Sequence, residues 1–228
     1  MRISSARRPR NAECSRLLNS LSQWLLYTVA AALALFAVAA VSVQFLRPDL
    51  NPWQATISQY LSGPWGAFLD AAYYTLGAGL MGLGAVLATL TAGLRRWTLG
   101  SRLLGIAGMA VVIVAIFRPG PESQAPGMLI HKSAAVIAFV TVAWAVLWHG
   151  LRFRRMAWYR RYARPAIALG ASSLAAQAMF AIYESWPGTP GHGFAEKLLV
   201  ALCWLGVCCL TWAAHKGISA HALPESTQ

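Results

Sequence analysis

Charged residues are scarce in this sequence. Only 11% of the 228 residues are Asp, Glu, Lys or Arg, whereas 57% are hydrophobic, and the mean hydropathy is +0.51. A soluble globular domain carries about 25% charged residues. Too few polar side chains are therefore present to cover a water-exposed surface, and this composition excludes a soluble globular protein.

The sequence also lacks the patterns of a disulfide framework, a zinc site and a nucleic-acid reader. Its four cysteines include no CxxC pair, and three of them lie in the last apolar stretch, where cysteine behaves as a small hydrophobic residue. No recognition motif accompanies the net charge of +12. We therefore expect no nucleic-acid partner and no cofactor.

Long apolar stretches are what the sequence has in abundance. A helix needs roughly 20 mostly apolar residues to cross a bilayer, and the first stretch is longer than the apolar core of a signal peptide. The sequence predicts an all-α bundle of six transmembrane helices over residues 21–216. A basic cytoplasmic tail, 1–20, precedes it, and a cytoplasmic tail, 217–228, follows. The predicted spans are 24–46, 67–93, 103–117, 131–151, 165–186 and 198–214.

The basic residues predict the orientation of this multi-pass protein. With the N-terminus inside, 15 of the 19 Lys and Arg residues fall on the inner side, which indicates an N-in, C-in topology. Six of them lie between Arg152 and Arg164, interleaved with Trp158, Tyr159 and Tyr162. We expect these Arg-rich inner loops to contact anionic inner-leaflet headgroups.

Small residues recur on two predicted spans. The second contains Gly77, Gly79, Gly82 and Gly84, and the fifth contains a run around Gly170. Small residues let membrane helices approach closely. We expect these faces to pack within the bundle.

Five of the seven acidic residues fall at or near the predicted outer face. Ionisable side chains at membrane depth usually face the interior of the bundle or a water-filled cavity. Asp70 has Tyr74 and Gly77 on its helical face, and Glu184 shares a face with Gln177. One interpretation is a polar seam that runs down from the outer mouth. The alternative is structural, with hydrogen bonds between helices or ion pairs to Lys132, Lys197 or Arg118. The five acidic residues are Asp49, Asp70, Glu122, Glu184 and Glu196.

The first outer loop, residues 51–66, mixes aromatic residues, hydroxyls and turn formers. Trp53, Ile57 and Tyr60 recur at i, i+4 and i+7, which predicts a short amphipathic helix. We expect it to lie in the outer interface or to fold over the mouth of the bundle. It either contacts a headgroup or ligand, or shields the helix ends.

Three stretches resemble a known family. They are NPWQATISQYLSGPWGAFLDAAYYTLGAG, FRPGPESQAPGMLIHKSAA and GFAEKLLVALCWLG, and they look like the bacterial membrane proteins called domain of unknown function 998 (DUF998). The resemblance implies a six-helix bundle with polar outer loops in the bacterial cytoplasmic (inner) membrane. It also implies that His131, Glu196 and Lys197 are characteristic polar positions. It implies no activity.

The expected function is binding of a membrane lipid, another hydrophobic ligand or a partner protein at the outer face, since no strong catalytic motif is present. Three alternatives remain: a lipid metallohydrolase with zinc held by His131, His192 and Asp70; a small transporter; and a di-haem electron carrier. The di-haem carrier would use one histidine pair near the outer side, His131 and His192, and one near the inner side, His149 and His215. The candidate ligand-binding residues are Trp53, Ser58, Tyr60, Asp70, Tyr74, His131, Gln177, Glu184, Glu196 and Lys197.

Overall fold

The computed structural model describes residues 8–90, 99–119, 125–186 and 190–221. Within these ranges all regular structure is helical. The six α-helices are α1 (Arg8–Leu46), α2 (Gly66–Leu90), α3 (Leu99–Ile116), α4 (Ala125–Phe153), α5 (Arg160–Ser185) and α6 (His192–His221). Two short 3₁₀ helices, Ile57–Leu61 and Ala157–Tyr159, lie in connecting segments.

All six α-helices contain a segment long and apolar enough to cross a membrane, which confirms the prediction of six spans. The segments are Ser20–Leu46, Gly66–Leu90, Leu99–Ile116, Pro126–Phe153, Ala157–Ser185 and His192–Ser219. Helix α1 begins well before its span, inside the predicted basic tail. The following parts of the predictions lie outside the described residues: 1–7, the end of the second span at 91–93, Arg95 and Arg96 of an inner loop, Glu122, and 222–228.

Each helix packs against the next one along the chain, and α6 also packs against α1, α2 and α4. The last helix therefore contacts four of the other five helices. A hydrogen bond from Trp204 Nε1 on α6 to the carbonyl oxygen of Leu33 on α1, 3.0 Å long, ties the first and last helices together.

Close helix contacts occur where the sequence places glycine. A Cβ atom on Gly77 of α2 would lie 2.7 Å from the Gly108 oxygen of α3, and one on Gly170 of α5 would lie 2.6 Å from the Leu147 nitrogen of α4. The expected packing of the small-residue faces inside the bundle is confirmed at both positions. These contacts draw the helices together and bring the polar residues near their ends into one region.

The first outer loop differs from its predicted form. Its helix is a 3₁₀ helix, Ile57–Leu61, that excludes Trp53. Ile57 is 3% exposed and Tyr60 0%, whereas Trp53 is 61% exposed. The i, i+4, i+7 repeat does not describe one apolar face here, because a 3₁₀ helix has three residues per turn.

Candidate functional site

The first outer loop folds against the beginning of α6. The Lys197 ammonium donates to the carbonyl oxygens of Pro52 and Ala55, at 2.5 and 2.6 Å. The Glu196 Oε2 atom accepts the backbone N–H of Ile57 at 2.6 Å. Two adjacent α6 residues thus satisfy both kinds of backbone polar group in the loop and hold it across one end of the bundle.

Local contacts also fix the loop. The Thr56 backbone N–H donates to Gln59 Oε1 at 3.0 Å, as part of a capping box. Arg47 donates to both carboxylate oxygens of Asp49 and, through Nη1 at 2.5 Å, to the Ser62 carbonyl. The hydrogen bond from Arg47 holds the pKa of the Asp49 carboxyl below its usual value. The loop is therefore preorganised at both ends.

A cavity of about 560 Å³ lies beneath this loop, between the first turns of α4, the last turns of α5 and the start of α6. We call it the mouth cavity. Its volume falls within the range of about 300–1,000 Å³ that is usual for ligand pockets. Its polar lining includes Thr56, Ser58, His131, Gln177, Glu184 and Glu196.

A second cavity of about 90 Å³, the central cavity, lies deeper between α1, α2, α3, α4 and α6. Side chains such as Phe36, Leu80, Val111, Val142 and Val207 make its wall almost entirely apolar. The two cavities share five lining residues, so they adjoin along a common wall. These residues are Ser58, His131, Ala135, Phe139 and Glu196.

His131 stands in this common wall and is 5% exposed. Its Nδ1 atom lies 2.6 Å from the Phe117 carbonyl oxygen and 3.1 Å from that of Val114. Because a carbonyl oxygen can only accept, these contacts require the proton to be on Nδ1. The other ring nitrogen, Nε2, then presents a lone pair.

Two groups of ion pairs surround the mouth. Glu184 of α5 binds Lys132 of α4 at 2.5 Å and His192 of α6 at 2.6 Å, which links three helices at the rim. Asp70 on α2 pairs with Arg118, which follows α3. Both carboxylates have the ion-pair partners that the structural interpretation of the sequence anticipated.

The comparison with protein families gives one match. The model of a family described as "protein of unknown function (DUF998)" matches residues 29–213, which includes the loop, both cavities and their walls. The chain belongs to the DUF998 family. No curated protein and no solved structure gives a significant match to the chain.

In this DUF998 protein the candidate residues fall into three groups. Ser58, His131, Gln177, Glu184 and Glu196 line the mouth cavity. Tyr60 and Lys197 lie behind it, with the Lys197 ammonium 5.9 Å from the centre of the Tyr60 ring. Trp53, Asp70 and Tyr74 are not among the lining residues of either cavity.

Each residue of the third group lies outside the two cavities, in surroundings of its own. Trp53 packs on Phe194 with ring centres 5.1 Å apart, and Asp70 is held by Arg118. Tyr74 is 40% exposed on the outside of α2. Its neighbour Tyr73 lines the central cavity instead and packs edge-on against Phe36 at 5.3 Å.

Sequence reasoning missed several lining residues of the DUF998 cavities, including Tyr73, Phe36, Trp204 and Thr56. Tyr73 follows Asp70 by three residues and Tyr74 by four, and both spacings share a helical face. The spacing alone is therefore consistent with either tyrosine and does not show which of the two lines the cavity. Phe36 and Trp204 lie in apolar spans without any local signal.

The structure does not assemble the zinc ligand set considered for this DUF998 protein. His131 contacts backbone carbonyls, His192 binds Glu184, and Asp70 binds Arg118. Among the residues that the structure describes, no three His, Cys, Asp or Glu side chains come together in a way that could hold a metal ion.

Proposed function

We propose that this chain binds an amphipathic, lipid-like molecule, with its polar end in the mouth cavity and part of its hydrocarbon chain in the central cavity. The observation that carries the proposal is the common wall of the two cavities. Beyond the shared residues, the mouth cavity has polar side chains such as Gln177 and Glu184 among its apolar ones, whereas the rest of the central cavity is largely apolar. Polarity therefore falls from the mouth inwards, as it does along a lipid molecule.

The burial of the polar groups in the common wall favours a small amphipathic ligand over a protein partner. Protein interfaces need a large exposed surface, about 800 Å² per partner, whereas the polar groups that define this site lie beneath the loop. His131 and Glu196 are only 5% and 6% exposed. A cavity of about 560 Å³ has room for a small amphipathic molecule but not for a folded domain.

The position of the site follows from the orientation, which we propose to be N-in and C-in in a bacterial cytoplasmic membrane. Among the described residues, Arg152, Arg154, Arg155, Arg160 and Arg161 surround the connection between α4 and α5. The cavities and their carboxylates lie at the other end of α4. The positive-inside rule then places the mouth on the outer side.

Cysteine labelling tests this orientation. Asn51 and Arg155 are both exposed, at opposite ends of the bundle. In intact cells, a membrane-impermeant maleimide is expected to label Asn51→Cys and not Arg155→Cys above the background of the four native cysteines. Permeabilised cells should show labelling of both. Labelling of Arg155→Cys alone in intact cells would reverse the orientation.

Filling the central cavity tests lipid binding. Ala138 is 5% exposed and lines this cavity, whereas its neighbour Ile137 is 46% exposed. Ala138→Trp is expected to reduce the lipid that co-purifies with the protein by about fivefold or more, because the indole takes the space of the hydrocarbon chain. Mass spectrometry of lipid extracted per mole of folded protein measures the change.

Ile137→Trp is the matched control, since it adds the same indole on the same helix outside the cavities. It should leave the bound lipid unchanged. If both folded variants retained the lipid content of the wild type, the cavities would not hold lipid.

A further inference from the structure

Glu196 is a buried carboxylate without an ion pair among the described residues. Its side chain lines both cavities, and the residue is 6% exposed. Its Oε2 atom accepts one hydrogen bond, from the Ile57 backbone. An ionised carboxylate in such a place is costly unless a cation neutralises it.

The cations near this carboxylate are already engaged. Lys197 donates to the carbonyl oxygens of Pro52 and Ala55, and Lys132 binds Glu184 at the rim. Arg118 pairs with Asp70. The adjacent Lys197 attracts the Glu196 carboxylate electrostatically, but no basic side chain in the described part of the chain forms an ion pair with it.

The other polar groups in the common wall are also suited to accept hydrogen bonds. His131 uses its N–H on the carbonyls of Phe117 and Val114, so Nε2 is left as an acceptor in the neutral ring. The Ser58 hydroxyl oxygen contacts Thr56 Oγ1 at 3.2 Å and can also accept. A ligand headgroup that donates hydrogen bonds fits this set.

The hydrocarbon chain contributes little to selectivity. A lipid tail in the bilayer is already surrounded by groups as apolar as the leucine and valine side chains of the central cavity. Moving it into the cavity therefore gains little free energy. The headgroup must supply the preference for one lipid class over another.

We propose that the bound amphiphile carries a cationic amine headgroup, with Glu196 as its counterion and His131 and Ser58 as hydrogen-bond acceptors. This inference rests on the proposed function and specifies its ligand. An ammonium group donates up to three hydrogen bonds, and its positive charge would pair with the negative charge of the carboxylate. Its hydrocarbon chain extends from the common wall into the central cavity.

Three probes that share one tail test the headgroup. The full chain, in nanodiscs of phosphatidylcholine at pH 7, is titrated with dodecylamine, dodecanol or dodecanoate, and the rise in Tm gives an apparent affinity for each. An alkylamine is protonated at this pH, as a lysine side chain is. We expect dodecylamine to bind at least about tenfold more tightly than either other probe.

Substitutions of two carboxylates, Glu196 and Asp49, distinguish binding at the site from attraction of the amine to negative charge elsewhere on the protein. Glu196→Gln keeps an oxygen for the Ile57 N–H but removes the charge, and should weaken dodecylamine binding at least about tenfold. Asp49→Asn removes an exposed carboxylate on the loop, outside both cavities, and should leave binding unchanged. Glu196→Asp should retain the preference for the amine.

The outcomes separate this inference from the proposed function. Equal binding of the amine and the alcohol, or full dodecylamine binding by folded Glu196→Gln, overturns the amine headgroup and leaves the lipid cavity standing. If none of the probes binds to the wild type, the lipid cavity itself is overturned. If Glu196→Gln does not fold, the preference of the wild type among the three probes decides.

Discussion

Replacing Gly108 with alanine is expected to lower the free energy of unfolding by about 1–3 kcal/mol, because it overpacks the contact between α2 and α3. A Cβ atom at this position would lie 2.4 Å from the backbone oxygen of Gly77 and 2.8 Å from Met81 Cγ. The oxygen belongs to the α2 backbone, so relief requires the two helices to move apart. The loss would appear as a lower midpoint of SDS-induced unfolding in mixed micelles.

Gly105→Ala is the matched control on the same helix, since a Cβ atom at Gly105 would meet nothing within 4 Å. Alanine is favoured over glycine in a helix interior by about 1 kcal/mol. The control should therefore be as stable as the wild type or slightly more stable. Equal stabilities for the two variants would show that the helices are not held at this distance.

The second large effect is expected at the first outer loop. Lys197→Met removes the donor that serves the Pro52 and Ala55 carbonyls. Ala55 is buried, and a buried acceptor left without a donor costs about 1–3 kcal/mol. The loop should open more often, by about tenfold or more. Hydrogen exchange followed by mass spectrometry should show faster exchange over residues 51–62, with the midplane of α6 unaffected.

Lys132→Met provides the comparison, because it also removes a lysine ammonium, in this case the one that pairs with Glu184. The Lys132 side chain is 59% exposed, and an exposed pair is worth about 0–1 kcal/mol. Exchange in residues 51–62 should stay close to that of the wild type. If the two variants opened the loop equally, Lys197 would not be its anchor.

The number of spans could be predicted from sequence because the burial of apolar helices in lipid is a property of each stretch alone. Composition and length decide it, and all six predicted spans correspond to helices. Their arrangement could not be predicted in the same way. The packing of α6 against α1, α2, α4 and α5 depends on which faces meet, and the apolar spans present similar residues on all sides.

The candidate site was partly predictable for a related reason. Polar residues in apolar surroundings are conspicuous, so His131, Gln177, Glu184 and Glu196 could be selected from the sequence. The link between Ile57 and Glu196 joins positions 139 residues apart, and no local pattern encodes such a contact. Tyr73 and Tyr74 differ only in which side of α2 each occupies, which packing against α1 and α3 decides.

The contacts of α6 with the loop and with four other helices have a consequence for how this protein is made. The loop partners Glu196 and Lys197 leave the ribosome 139–145 residues after the loop segments that they hold. At synthesis rates of about 5–20 residues per second, this delay is roughly 7–30 s. During that time five helices can be in the membrane while the loop has no anchor and the common wall lacks its carboxylate. Both cavities are therefore completed only when the last helix is inserted, and a chain truncated before α6 lacks the wall that this helix contributes.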